Sequence, residues 1–261
     1  MYAKPNPSET DGGCDLESRE FAKSFRAFRT EPGRVSSWVD RMLKAAERAK
    51  EARWLDVGCG MGRFATPLAG AGIQVIGVDR SVEMIRRALL GSRGTGLWFL
   101  SADGCRLPFR SESFGCALIS MVLEHVEDRT RLLAEVARVL THRCVLLVRT
   151  CSETDLDETT WYRFFPEALR REKERMPSIS QLHEMLSQLG FGEMQLKRYV
   201  DVQRIPVATF LAKLKAKAYT MLWQLSADDF EDCLARAERD LGATADTDEV
   251  ISASMLAWTR D

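Results

Sequence analysis

Trp54-Leu55-Asp56-Val57-Gly58-Cys59-Gly60-Met61-Gly62 is the stretch that decides how this chain folds. An apolar run ends in the spacing Gly58-x-Gly60-x-Gly62, and a helical pattern follows. A strand that brings a ligand to a tight backbone turn needs glycine there, because side chains would block close approach. The arrangement places a nucleotide-like cofactor at the carboxyl end of the first strand of an open α/β sheet.

Outward from that turn, short apolar runs alternate with helical patterns, as a parallel sheet requires. The runs predict strands at 53–58, 74–79, 97–101, 115–121 and 143–149, with helices over about 62–70, 81–90 and 128–140. Asp128 is placed to cap the last of these, and Leu132, Leu133, Val136, Val139 and Leu140 form its apolar stripe. Upstream, 17–30 and 34–50 read as amphipathic helices divided by Glu31-Pro32-Gly33. Downstream, 151–177 is polar but carries Trp161, Tyr162, Phe164 and Phe165. A helix over 178–189 then leads to a strand near 193–202, a helical stretch 205–241 broken near Ser226, and a last strand from Val250 to Trp258.

The chain of 261 residues balances Lys+Arg 37 against Asp+Glu 38, so no global field favours nucleic acid or an anionic membrane. Its 7 cysteines form no C-x-x-C pair and no zinc spacing, and no metal site is expected. The odd count, with no signal peptide and no membrane-length apolar stretch, points to a reducing cytoplasm. Residues 1–16 read as a disordered N-terminus and 17–261 as one domain. That domain comprises cap helices at 17–50, a cofactor-binding core at 51–150, and substrate-side insertions at 151–178 and 203–242.

A dinucleotide site requires G-x-G-x-x-G, and Arg63 stands where that pattern continues past Gly62. The spacing present, preceded by Asp56, resembles the glycine turn of class I S-adenosylmethionine-dependent methyltransferases. Three further segments strengthen the resemblance: Val75-Ile76-Gly77-Val78-Asp79 with Arg80, Ser81 and Met84, then Ser101-Ala102-Asp103-Gly104 with Leu107-Pro108-Phe109, then Ile119-Ser120-Met121-Val122-Leu123-Glu124-His125-Val126. The Leu-Pro-Phe loop is similar to the type 11 subgroup, which includes ubiquinone and menaquinone biosynthesis enzymes. The resemblance covers about residues 50–150. Gly115 after Phe114, and Thr141-His142-Arg143 before the fifth strand, depart from the family pattern.

The resemblance implies a Rossmann-like, doubly wound, mostly parallel seven-stranded sheet with an antiparallel last strand and helical cap additions. It implies S-adenosylmethionine as cofactor and S-adenosylhomocysteine as product. The implied cofactor residues are Asp56, Gly58, Cys59, Gly60, Gly62, Asp79, Arg80, Met84, Ala102, Asp103, Gly104, Ser120 and Met121. Asp79 would take the ribose hydroxyls and Asp103 the adenine amine. Cys59 would serve through its backbone and small size. His125 is the candidate general base; His142 and His183 are poorer placed.

The acceptor expected is a small aromatic or apolar molecule methylated on O, N or C. Its pocket would be lined from Phe21, Phe25 and Phe28, from the aromatics of 161–165, and from Phe210, Tyr219, Met221, Leu222 and Trp223. The alternatives are a protein or tRNA methyltransferase and a non-catalytic cofactor-binding partner subunit. The charged run 170–175 alternates with glutamates and reads as a solvated helix face rather than an RNA surface. The sequence leaves the oligomeric state open.

Overall fold

Residues 32–92 and 94–260 are described by the computed structural model. The expectations for 1–16, for a helix over 17–30 and for Phe21, Phe25 and Phe28 lie outside those residues. Strands β1 (Arg53–Val57), β2 (Gln74–Asp79), β3 (Leu97–Ser101), β4 (Phe114–Ser120), β5 (Leu140–Thr150), β6 (Met194–Pro206) and β7 (Asp246–Arg260) form one seven-stranded sheet in the order β3-β2-β1-β4-β5-β7-β6. The pairs among β1 to β5 are parallel, and β7 runs antiparallel to both β5 and β6. β1 sits between β2 and β4, so the chain reverses direction across the sheet there. A crevice opens at that reversal, above the carboxyl ends of the strands.

The central strands are apolar runs because both faces are covered. Helices α1 (Pro32–Ala45), α2 (Ala65–Gly70), α5 (Glu153–Glu158), α6 (Pro166–Arg175), α8 (Val207–Lys215) and α9 (Ala227–Leu241) contribute to the core on one face, around Trp54, Leu118 and Leu147. Helices α4 (Arg129–Val139) and α7 (Ile179–Gln188) cover the other, around Leu55, Ile119 and Leu146. Asp128 caps α4 by accepting from Arg131 N–H at 2.9 Å. Leu132, Leu133, Val136 and Val139 are buried beneath it. Burial of such side chains contributes roughly 1.5–3 kcal/mol each against about 1 kcal/mol for the cap. The stripe holds the helix in place; the cap sets where it starts.

Several boundaries differ from expectation for physical reasons. α4 passes directly into β5, which starts at Leu140 rather than 143. The pairing shifts from Phe114↔Leu140 to Cys116↔Val145, and Arg143 sits at φ 60 inside the resulting bulge. Gly115 is there because a Cβ would lie 2.4 Å from that of Ala52. The two departures from the family pattern are therefore the two sides of one bulge.

The stretch expected to be helical from 205 is instead the end of β6, then α8, a 3₁₀ turn at Thr220–Gln224, and α9, capped by Ser226. Before Ser254, β7 is not paired with β5 and forms a two-stranded ribbon with β6. Asp155 pins that ribbon to α5. It is fully buried and accepts from Ser152 N–H, Ser252 Oγ, Ser254 Oγ at 2.6 Å and Arg198 Nε at 2.8 Å.

Candidate functional site

β1 ends in a turn made of backbone. The Gly58 and Cys59 amides donate to the Val78 carbonyl at 2.8 and 2.9 Å, tying the turn to β2. Gly58 lies at φ +71, and a Cβ on it would fall 2.4 Å from Val122 Cγ2. Gly60, at φ +54, has nothing within 4 Å of the position a Cβ would take. One glycine is thus required by packing behind the turn, and the other leaves space in front of it. The Gly62 amide closes the turn on the Cys59 carbonyl at 3.0 Å.

Asp79, at the end of β2, accepts from the Gly60 amide through Oδ2 at 2.8 Å and from the Ser81 amide through Oδ1 at 2.9 Å. Ser81 caps α3 (Val82–Gly91), accepting from Met84 N–H. A carboxylate has about four acceptor sites, so these two amides fix its orientation without exhausting it. Asp56 is buried beside this arrangement. Burial, and then the charge of Asp79, push its carboxyl up to about 7. Two acids so placed oppose a pyrophosphate and suit a cofactor that bears positive charge. Burial also pushes the Cys59 thiol well up, consistent with a packing role.

These residues open on one cavity of about 1070 Å³. Of the thirteen expected cofactor residues, all but Gly62 line it, and so does His125. The Asp103 carboxylate is oriented by the Cys105 amide at 2.9 Å. Met121 is held at φ 55 where β4 ends, its amide donating to the Arg149 carbonyl at 2.9 Å. A non-glycine residue in that conformation is strained, and such strain clusters at functional sites.

The same cavity continues into a chamber beyond β4 and β5. Trp161, Tyr162, Tyr219 and Met221 line it as expected from their sequence. Phe164, Phe165, Phe210 and Leu222 instead lie in the core, where Phe164 meets Phe210 and Phe165 meets Phe230. Trp161 is itself stacked on Tyr162 and Tyr219, at 3.7 and 4.7 Å between ring centres.

Charged residues share the chamber wall: Arg34, Glu124, Glu172, Lys213 and Glu249, with Arg149 at the end of β5. Lys213 donates to both oxygens of Glu249 at 3.0 and 2.9 Å, Tyr219 Oη donates to it at 2.7 Å, and Arg34 pairs with it at 3.1 Å. The 170–175 run is not wholly a solvated face. Arg170 pairs outward with Glu167 and Glu174, but Glu172 is buried and Arg175 reaches the cavity. His142 is exposed near Glu112, and His183 accepts from Trp258 Nε1 at 3.3 Å; both stand outside the lining.

Residues 55–148 match a family described as a methyltransferase domain. The chain belongs to the class I S-adenosylmethionine-dependent methyltransferases. Within them it is of type 11. Relatives include an O-methyltransferase of Aspergillus sclerotiorum, 33% identical over 170 residues (61% of each chain). Another is a demethylmenaquinone methyltransferase of Renibacterium salmoninarum, 32% identical over 108 residues, or 41% of this chain and 44% of that one. The chain therefore spans about half the length of these relatives. The solved YcgJ protein of Bacillus subtilis shares the fold with a TM-score of 0.60 at 20% identity, covering 85% of this chain and 97% of its own.

The site fits this family's cofactor on its own chemistry. Gly60 leaves room at the turn, and acids stand at the ends of β1 and β2 and just beyond β3. No helix among the described residues is long and apolar enough to cross a membrane.

Proposed function

We propose that this methyltransferase transfers a methyl group to an oxygen, nitrogen or carbon atom of a small molecule. The observation that carries the reading is the continuity of the glycine-and-acid cradle with a chamber walled by the chain's own insertions. Asp79 would hold the ribose hydroxyls and Asp103, with Ala102 and Gly104, the adenine. Asp56, Gly58, Cys59 and Gly60 would meet the amino-acid portion, with Arg80, Met84, Ser120 and Met121 completing the contact surface. When bound, S-adenosylmethionine supplies a sulfonium-activated methyl group and leaves as the neutral thioether.

The acceptor's electron pair forms the new bond while the carbon–sulfur pair stays on sulfur; an acceptor hydroxyl or amine then sheds one proton. Alignment and exclusion of water carry much of such a barrier, since orientation alone offers effective molarities of about 10⁵–10⁸ M. The chamber's mixture of aromatic and buried charged groups favours an acceptor that combines an apolar frame with polar substituents. Calorimetry with S-adenosylmethionine, S-adenosylhomocysteine and NAD tests the cofactor. Binding of NAD with no response to the other two would overturn it. Mass spectrometry of a metabolite extract incubated with methyl-labelled cofactor then identifies the acceptor.

A further inference from the structure

Arg175 is the last residue of α6, and its guanidinium reaches across the chamber wall to two 3₁₀ turns. Its Nη2 donates to the Glu124 carbonyl at 2.7 Å and lies 2.9 Å from His125 Nδ1. Its Nη1 donates to Gln224 Oε1 at 2.8 Å and touches Met221 Sδ at 3.1 Å. The arginine is itself fixed from behind: Arg129 donates to its carbonyl and, through Nε, to the Leu123 carbonyl at 2.8 Å. A guanidinium has five N–H donors and no acceptor. The ring nitrogen facing it must therefore present a lone pair. A neutral imidazole that accepts at Nδ1 carries its proton on Nε2.

We propose that Arg175 is a positioning residue for methyl transfer: it fixes His125 as the Nε2–H tautomer, making it a hydrogen-bond donor to the acceptor. Proton removal then falls to the Glu124 carboxylate. This rests on the methyltransferase reading above. Glu124 is buried, lines the same cavity, and holds Oε1 3.8 Å from His125 Nε2, so donor and proton acceptor stand side by side in one turn. An acceptor hydroxyl can hydrogen-bond to His125 while its proton passes to Glu124. His125 can take up that proton only by displacing Arg175.

Two-bond ¹H–¹⁵N correlation spectra of histidine-labelled protein test the geometry without an acceptor, with His125 assigned by its loss in His125→Gln. The wild type is expected to show a pyridine-type Nδ1 and a pyrrole-type Nε2 in a single species. Arg175→Met is expected to spread the ring over both tautomers. Arg175→Lys is expected not to restore the single species, because one ammonium lacks the planar fork. A protonated Nδ1 in the wild type, or an unchanged spectrum in both Arg175 variants, would overturn the proposal.

With an acceptor in hand, His125→Gln, which keeps a donor, is expected to retain turnover within about tenfold. Glu124→Gln is expected to lose about 100-fold or more. The reverse order of those two losses also sinks it. S-adenosylhomocysteine calorimetry on the same samples separates the two readings. Absent binding counts against the methyltransferase function, whereas intact binding with the wrong tautomer counts against Arg175 alone.

Discussion

Gly58 and Gly60 look equivalent in the sequence but serve different ends. Gly58→Ala would combine left-handed strain with a Cβ driven into Val122, and is expected to destabilise the fold by roughly 1–3 kcal/mol. Gly60→Ala meets no atom, so its larger effect should fall on cofactor affinity. Thermal melts and S-adenosylhomocysteine calorimetry on the pair would check this, and equal melting losses would contradict it. Asp56 adds a pH signature. Its carboxyl binds a proton more tightly folded than unfolded, so its stabilising contribution is full below the ordinary value of 3.8 and is lost as pH rises through about 7. Asp56→Asn should flatten the decline of stability over that range, as urea melts at about pH 5 and about pH 8 would measure. Affinity for the cationic cofactor should rise through the same range in the wild type and stay flat in the variant.

The elements from β1 to β5 were legible because their signals are local: apolar runs that end in glycine or acid, and caps such as Ser81 and Asp128. The insertions were less so. β6 alternates polar and apolar residues through Val202 and Arg204, and as an edge strand it pairs only with β7, forty or more residues away. The charged run in α6 reads as solvent-facing because Arg170 and Glu174 are; what turns Arg175 inward is contact with 3₁₀ turns about fifty residues distant on either side. Asp155 shows the same limit, since two of its partners lie almost one hundred residues away. Burial acts to raise its carboxyl, but hydrogen bonds from Ser252, Ser254 and Ser152 prevail and hold it low. Its contribution is therefore present above the ordinary carboxylate value and is lost as pH falls through the lowered one. Asp155→Ala should cost about 3 kcal/mol or more by leaving Arg198 and the serines short of an acceptor. Urea denaturation at neutral pH would measure this, and a loss under about 1 kcal/mol would show that the ribbon is held elsewhere.

The whole molecule is a widely shared sheet with helices and turns packed over it. Glu249 is where those parts meet: Arg34 from α1, Lys213 from α8 and Tyr219 from the loop beyond it all converge on one carboxylate of the β7 ribbon. None of these contacts joins sequence neighbours. In the sequence Lys213 stands with Lys215 and Lys217 as one of three alternate lysines, yet it is only 5% exposed. Charges this deep are costly to desolvate, and removing one partner leaves the others uncompensated, typically at 3–5 kcal/mol. Glu249→Leu should accordingly lower stability by about that amount, whereas Glu249→Gln keeps the volume and part of the hydrogen bonding and should lose less. Neither change touches the glycine turn or the acids at β1 and β2, so S-adenosylhomocysteine affinity should stay within about threefold wherever the variants remain folded. Urea melts and calorimetry on the same samples separate the two quantities. If cofactor affinity collapsed along with stability, the chamber wall and the cradle would form one cooperative unit rather than two separable parts of the cavity.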